Sequence, residues 1–301
     1  MAAALAWVLN LDADLELEAG GGYEPGARVR RAMQEPAERL ASSLLGPDDL
    51  RLDDASPAGV ARGRVGRAFC PTPRALRLLR RAGAEPEPHP PVEVLRRVNS
   101  RAFASQLGPT LPGAVFVTDL ESARAVLGTN PEVGAAWRVK YAFGMAGRNQ
   151  LVVRPGDVGD RALAFVRAGL TRGGLQIEPD VAVADEYAMH GILAEGGALR
   201  TGALVVQRCN ARGAWLSTER VGEGAAGEIA GRLAEELARV GRALVDAGYF
   251  GPFGVDAYTY RDLRGELRLQ SRSEINARYS MGFAVGFGGA QVQGETPSGT
   301  R

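Results

Sequence analysis

Gly254-Val255-Asp256-Ala257-Tyr258-Thr259-Tyr260 and Leu267-Arg268-Leu269-Gln270-Ser271-Arg272-Ser273-Glu274-Ile275-Asn276-Ala277-Arg278, joined by the polar turn 261–266, decide how this chain reads. Val255–Tyr260 and Leu267–Asn276 have strand character and a short turn separates them, so an antiparallel pair is expected. Glu274 and Asn276 stand two residues apart and share one face of their strand, and Asp256 can lie opposite them. Two carboxylates and an amide oxygen form a donor set for a hard divalent ion, magnesium with manganese as a substitute, with waters and phosphate oxygens completing the shell. Arg278 continues the same face and offers a permanently charged fork to a phosphate or a carboxylate. The ordinary alternative is a hairpin whose charges face solvent. Against it, the acid-x-Asn-x-Arg run passes into Tyr279-Ser280-Met281-Gly282, an order from which exposed acids would gain nothing.

Upstream, Lys140 is the only lysine in the 301-residue chain, in which every other basic side chain besides the two histidines is arginine. It lies in Trp137-Arg138-Val139-Lys140-Tyr141-Ala142-Phe143-Gly144-Met145-Ala146-Gly147-Arg148, an alternating strand that runs into a glycine turn. A compact ammonium beside a glycine loop suits a nucleoside triphosphate, whereas an isolated strand lysine is most often solvated.

Between and around these points the pattern predicts helices over 92–101, 120–127, 160–169 and 227–247, the last with Ile229, Leu233, Leu237, Val240 and Leu244 at spacings of three and four. Strands are expected over 114–117, 150–153, 175–178 and 181–183, with a long hairpin over 185–208 turning at Glu195-Gly196-Gly197. The first third reads as a small α/β unit: a buried strand at 4–10, a polar loop carrying Asp12, Asp14 and Glu16, and a helix over 74–82. The stiff stretch Pro86-Glu87-Pro88-His89-Pro90-Pro91 closes it. Residues 288–301 are rich in Gly, Gln, Ser and Thr and are expected to be a disordered tail.

Composition removes several classes of function. With 36 basic and 35 acidic side chains the net charge is +1, and nothing forms the basic stripe of a nucleic-acid binder. Cys70 and Cys209 are too few for a disulfide framework or a thiolate metal centre, which points to a reducing cytoplasm. His89 and His190 show no metal-ligand spacing, and no Gly-x-Ser-x-Gly elbow accompanies them. The lysine precedes its glycines, unlike a Walker A loop; a dinucleotide fingerprint and protein-kinase motifs are absent as well. The apolar N-terminal run is too short to span a bilayer, so a cytoplasmic protein with no membrane partner is expected.

The order of the lysine strand and its glycine loop, then Leu175-Gln176-Ile177-Glu178, then Gly254-Val255-Asp256, then Glu274-Ile275-Asn276-Ala277-Arg278 resembles the ATP-grasp superfamily of carboxylate-amine ligases over about residues 92–287. The resemblance implies an α/β, grasp-type α+β architecture: a small pre-ATP-grasp domain over 1–91, then an ATP-grasp domain over 92–287. Two subdomains would hold the nucleotide between them, one a small lid over about 114–180. It implies ATP and magnesium as cofactors, Asp256, Glu274 and Asn276 as metal ligands, and Lys140 on the nucleotide phosphates. Gly144 and Gly147 match the loop that covers the triphosphate, and Gln176, Ile177 and Glu178 the hinge that meets adenine, with Glu178 a candidate for the ribose hydroxyls. Arg101 fills the place of an earlier phosphate-binding lysine, and Arg278 matches the arginine on the transferred phosphate. The implied reaction joins a small-molecule carboxylate to an amine through an acyl phosphate, and ligases of this type are often homodimers. A small-molecule kinase on the same fold and a non-catalytic ATP-binding module are the alternatives.

Overall fold

The computed structural model describes residues 4–108, 110–144, 147–209, 215–222 and 227–288. The expected tail at 288–301 therefore lies outside the described residues, apart from Gly288, and so does Met145 of the glycine turn.

Three sheets follow one another along the chain. The first is parallel, in the order Leu50–Leu52, Leu5–Val8, Val65–Ala68, Glu85–Pro86. Its central strand, Leu-Ala-Trp-Val, is nearly all apolar, as a strand covered on both faces must be. Asp12, Asp14 and Glu16 do not form the expected polar loop. The chain turns into the helix Ala13–Ala19, and all three acids are buried. Partners from distant segments hold two of them: Glu16 accepts from the Thr72 hydroxyl at 2.6 Å and the Arg74 amide at 2.8 Å, and Asp14 accepts from Arg278 at 2.7 Å. The helix Pro73–Arg81, with proline in its first turn, packs Ala75, Leu76, Leu78 and Leu79 inward.

The second sheet is antiparallel, in the order Val115–Val117, Leu175–Asp180, Ala136–Tyr141, Gln150–Val153. Helices Leu120–Leu127 and Asp160–Leu170 cover one face, where Trp137, Val139, Leu175, Ile177 and Val166 form a core. The two-residue period then turns Arg138, Lys140, Gln176 and Glu178 to the opposite face.

Leu175–Asp180 continues through Val181 into Ala182–Leu193, a strand of the third sheet. That sheet runs in the order Trp215–Arg220, Val205–Cys209, Ala182–Leu193, Gly251–Arg261, Leu267–Asn276, with Leu199–Thr201 added beside Ala182–Leu193. The helix Gly227–Asp246 lies on one face and buries Leu233, Leu237, Val240 and Leu244 completely, against a core that includes Phe253, Val255 and Ile275. Each such leucine contributes about 1.5–3 kcal/mol of burial, so this face holds the sheet flat against its helix and leaves the other face free for polar work.

The single helix expected over 92–101 is two, Val92–Val98 and Arg101–Gln106. Asn99 and Ser100 make the break. The Ser100 hydroxyl accepts the Ala102 amide, capping the second helix, while the Asn99 side chain accepts the Ala277 amide at 2.9 Å and donates to the Leu95 carbonyl at 2.9 Å. Arg101 is thereby fixed at a helix start beside the end of the Leu267–Asn276 strand.

Candidate active site

The acid-bearing hairpin pairs in the register the sequence requires. Asp256 stands directly opposite Glu274, and Gly254 opposite Asn276. A bulge between Asp256 and Tyr258 interrupts the ladder beside the acid. The Asn276 amide donates to Asp256 Oδ2 at 2.8 Å, and the Gln207 amide to Asp256 Oδ1 at 3.1 Å. Desolvation and, next, the neighbouring Glu274 charge push the Asp256 carboxyl up to about 7, against the opposing pull of Asn276, Arg278 and Gln207. Among the described residues no three His, Cys, Asp or Glu side chains gather to ligate a metal, so any ion here must be held by a mixed set. Two facing carboxylates whose repulsion is only partly relieved by their neighbours, with an amide beside them, fit a divalent cation that keeps part of its shell for water or phosphate.

Across from the acids lie the cations. Lys140 Nζ is 2.5 Å from Glu178 Oε1, and Glu178 Oε2 accepts from Gln176 Nε2 at 2.6 Å. Arg101 pairs with Glu274 and donates to the Tyr141 carbonyl at 2.8 Å. Gly144 lies against that guanidinium: a Cβ there would stand 2.8 Å from Arg101 Nη1, so a side chain would displace it. Gly147 adopts φ 72°, a left-handed conformation that favours glycine. Arg278 is bound to Asp14 at 2.7 and 3.3 Å and lies over the Phe69 ring. One cleft of about 800 Å³ is lined by Arg101, Lys140, Glu178, Asp256, Glu274 and Arg278, with Gly144, Gly147 and Asn276 also on its wall.

The hinge expectation needs correction. Ile177 is fully buried in the core of the second sheet, and strands flank it on both sides, at Val115 and at Val139. Backbone groups in the middle of a sheet are committed to the ladder, so Ile177 cannot meet a ring in the cleft. Gln176 is also off the cleft wall, its amide given to Glu178. The cleft is instead bordered by the next stretch of chain, where Glu178, Pro179, Val181 and Val183 line it as the second sheet passes into the third. Glu178 sits at that border with its carboxylate on Lys140 rather than open to a hydroxyl.

Several cleft residues had no local signal. Gln207 reaches Asp256 because Val205–Cys209 and Gly251–Arg261 both pair with Ala182–Leu193, an arrangement legible only from strand order. Glu186, Tyr187 and Arg138 reach the wall through the same kind of register. Asp14, 264 residues from Arg278, is brought to it by packing of the first sheet's helix on the site. Trp215 also lines the cleft, while Trp7 and Trp137 are buried in cores. His190 is completely buried, its Nε2 2.7 Å from the Ser280 hydroxyl, and burial holds its pKa down at about 4. A neutral imidazole enclosed in this way serves the packing of the sheet. Cys70 is a buried free thiol.

No family model and no curated protein matches the chain. Solved structures match over nearly its whole length. Biotin carboxylase from Campylobacter jejuni, in a β,γ-ATP complex, superposes with a TM-score of 0.56 and 14% identity over 93% of this chain and 67% of that one. D-alanyl-alanine synthetase A from Vibrio cholerae O1 biovar eltor gives 0.53 and 12% over 92% and 89%. N5-carboxyaminoimidazole ribonucleotide synthetase from Thermus thermophilus gives 0.51 and 19% over 92% and 72%. The chain has the ATP-grasp fold that these ligases share. Among the described residues no helix is long and apolar enough to cross a membrane.

Proposed function

We propose that this protein is an ATP- and magnesium-dependent ligase that activates a small-molecule carboxylate as an acyl phosphate and joins it to an amine. The observation that carries this reading is one cleft lined both by the facing acids Asp256 and Glu274 and by cations that include Arg101, Lys140 and Arg278. The fold supports it independently, since the similar structures include a β,γ-ATP complex and an amino-acid-joining synthetase.

Asp256, Glu274 and Asn276 would hold the divalent ion, which supplies charge neutralisation along the triphosphate when bound. The chain's own cations do the rest. Lys140 exchanges Glu178 for phosphate oxygens, and Arg278 exchanges Asp14 for the phosphoryl group in transfer. Gly144 and Gly147 would lie beside the phosphates, and the stretch 178–183, where the chain passes from the second sheet to the third, would border the adenine. A carboxylate is ionised at neutral pH and needs no general base. Its oxygen bonds to the γ-phosphorus as the bond from that phosphorus to ADP breaks. The neutral amine nitrogen then bonds to the acyl carbon, inorganic phosphate leaves with the electron pair, and the nitrogen gives up a proton. No step asks for an imidazole, in keeping with a chain whose only other histidine besides the buried His190 lies in a proline-rich stretch.

The deciding experiment is ADP release over a panel of carboxylates and amines, with mass spectrometry of the products. ADP and an amide in equal amounts are expected. A stable phosphoester in place of the amide would make the protein a kinase, and thermal stabilisation by Mg·ATP with no ADP from any pair would make it a binding module.

A further inference from the structure

Three of the cations that line the cleft, Arg101, Lys140 and Arg278, are each held by a carboxylate, but the carboxylates differ in what else they must do. Glu178 and Asp14, the partners of Lys140 and Arg278, lie outside the proposed metal set. Glu274, the partner of Arg101, lies inside it. Asp256, the facing acid, takes its hydrogen bonds among the described residues from the neutral amides of Asn276 and Gln207, with Arg278 near enough to add a coulombic pull. One of the two acids is therefore open to a cation, and the other is already covered by one.

Arg101 is also incompletely satisfied where it sits. Its Nε is buried without a hydrogen-bond partner, although the guanidinium pairs with Glu274 and the Tyr141 carbonyl. That buried donor leaves the fork one partner short in this arrangement, so its present pairing does not satisfy the whole group. Its backbone amide donates to the Ala142 carbonyl at 3.0 Å, and its guanidinium rests on Gly144, where the glycine turn leaves the strand.

Resting on the function proposed above, we infer that Arg101 and the divalent cation compete for the Glu274 carboxylate, so that Arg101 is a latch which metal opens and nucleotide phosphate then captures. Metal at Glu274 frees a guanidinium for the phosphates. Phosphate on Arg101 uncovers Glu274 for metal. The coupling is reciprocal, because it is one free-energy difference seen from either ligand. Arg101 is in this sense a positioning residue whose place in the ligand-free protein keeps either partner from binding well alone.

The test measures binding. Mn2+ alone, titrated by electron paramagnetic resonance, binds R101Q roughly 5-fold or more tighter than the wild type, because the competitor is gone. R101K, which keeps the charge but cannot bridge Glu274 and the Tyr141 carbonyl together, falls between the two. R138Q removes a positive charge from the same cleft, where Arg138 pairs with Asp180 rather than with Glu274, and stays within about twofold of wild type. From the other side, ADP titrated in EDTA binds E274Q more tightly than wild type by a factor comparable to that seen with Mn2+, and more tightly than D256N, which removes a carboxyl without freeing Arg101. Wild-type Mn2+ affinity in both R101Q and R101K, equal gains in R101Q and R138Q, or equal gains in E274Q and D256N would overturn the latch. Titration of the wild type with Mg·ADP separates the two proposals: normal binding without the reciprocal shifts removes the latch alone, and no binding removes the nucleotide reading with it.

Discussion

The two walls of the cleft are unequally finished. On the wall built by the second sheet, Lys140 and Glu178 satisfy each other with Gln176 donating to Glu178 from off the wall, and Glu178 is 3% exposed with its ammonium partner 2.5 Å away. On the wall built by the third sheet, Asp256 faces Glu274 and, among the described residues, is hydrogen-bonded by amides, and its carboxyl is pushed up to about 7 by desolvation and then by its neighbour despite the pull of Arg278. One wall is complete until a ligand replaces an internal partner. The other is incomplete until a cation arrives. If the site grips a polyanion through a metal as proposed, it has reason to be built this way, since the cost of setting Asp256 against Glu274 is recovered when the ligand is bound.

The sharpest way to break this contrast is to remove a charge from the incomplete wall. E274Q should lower ADP release by about 10²-fold or more while the protein still melts cooperatively, because the shape is kept and a metal-binding charge is lost. Activity within a few-fold of wild type would show that the acids are not the metal wall. On the complete wall, K140M leaves Glu178 buried without its counter-ion and should cost about 3–5 kcal/mol in urea unfolding, most of it recovered in K140M/E178Q. If K140M unfolds like wild type, the pair is not a closed unit.

Packing behind the incomplete wall gives a smaller signal. His190 fits beside Gly254 because there is no Cβ, which would stand 2.9 Å from the imidazole Cδ2. G254A should therefore cost about 1–3 kcal/mol by overpacking, read from the same unfolding curves. A further signal is a slope with pH. The Asp256 carboxyl has an ordinary value of 3.8 and is raised to about 7 in the fold, so the folded state binds its proton more tightly than the unfolded chain does. Stability contributed by the protonated form is full below about 4 and is lost as pH rises through about 7. The metal-free melting temperature should fall across that window by an amount on the order of a few degrees. D256N should flatten that fall, and saturating Mg2+ should offset it at neutral pH. An unchanged slope in D256N would assign the titration to another group.

How much of this is legible in the chain depends on how far apart the partners lie. The hairpin that sets Asp256 against Glu274 can be read because a turn of a few polar residues fixes its register, and the strand Leu267–Asn276 and the helix Leu120–Leu127 begin and end where their patterns do. The hinge expectation falls too early because Leu175–Asp180 alternates like any strand, and nothing local reveals that Val115–Val117 and Ala136–Tyr141 occupy both its edges at Ile177. The acids of the first turn after Leu5–Val8 read as a loop because runs of Asp and Glu rarely enter a core. Thr72, Arg74 and Arg278, which make their burial tolerable, are distant in sequence.

The sequence by itself determined the chemistry available to this protein: a lone lysine before a glycine turn, and an acid, a second acid, an amide and an arginine on strands whose two-residue period aims them together. Only the tertiary structure decided which charges are already spent on one another. Lys140 with Glu178, Arg101 with Glu274 and Arg278 with Asp14 are pairings between elements, and each depends on sheet order and on helix placement. The reason is physical. A strand's periodicity sets the direction of its own side chains, whereas the partner a charge meets, and the burial that makes that partner matter, are set by whichever distant segment packs across from it.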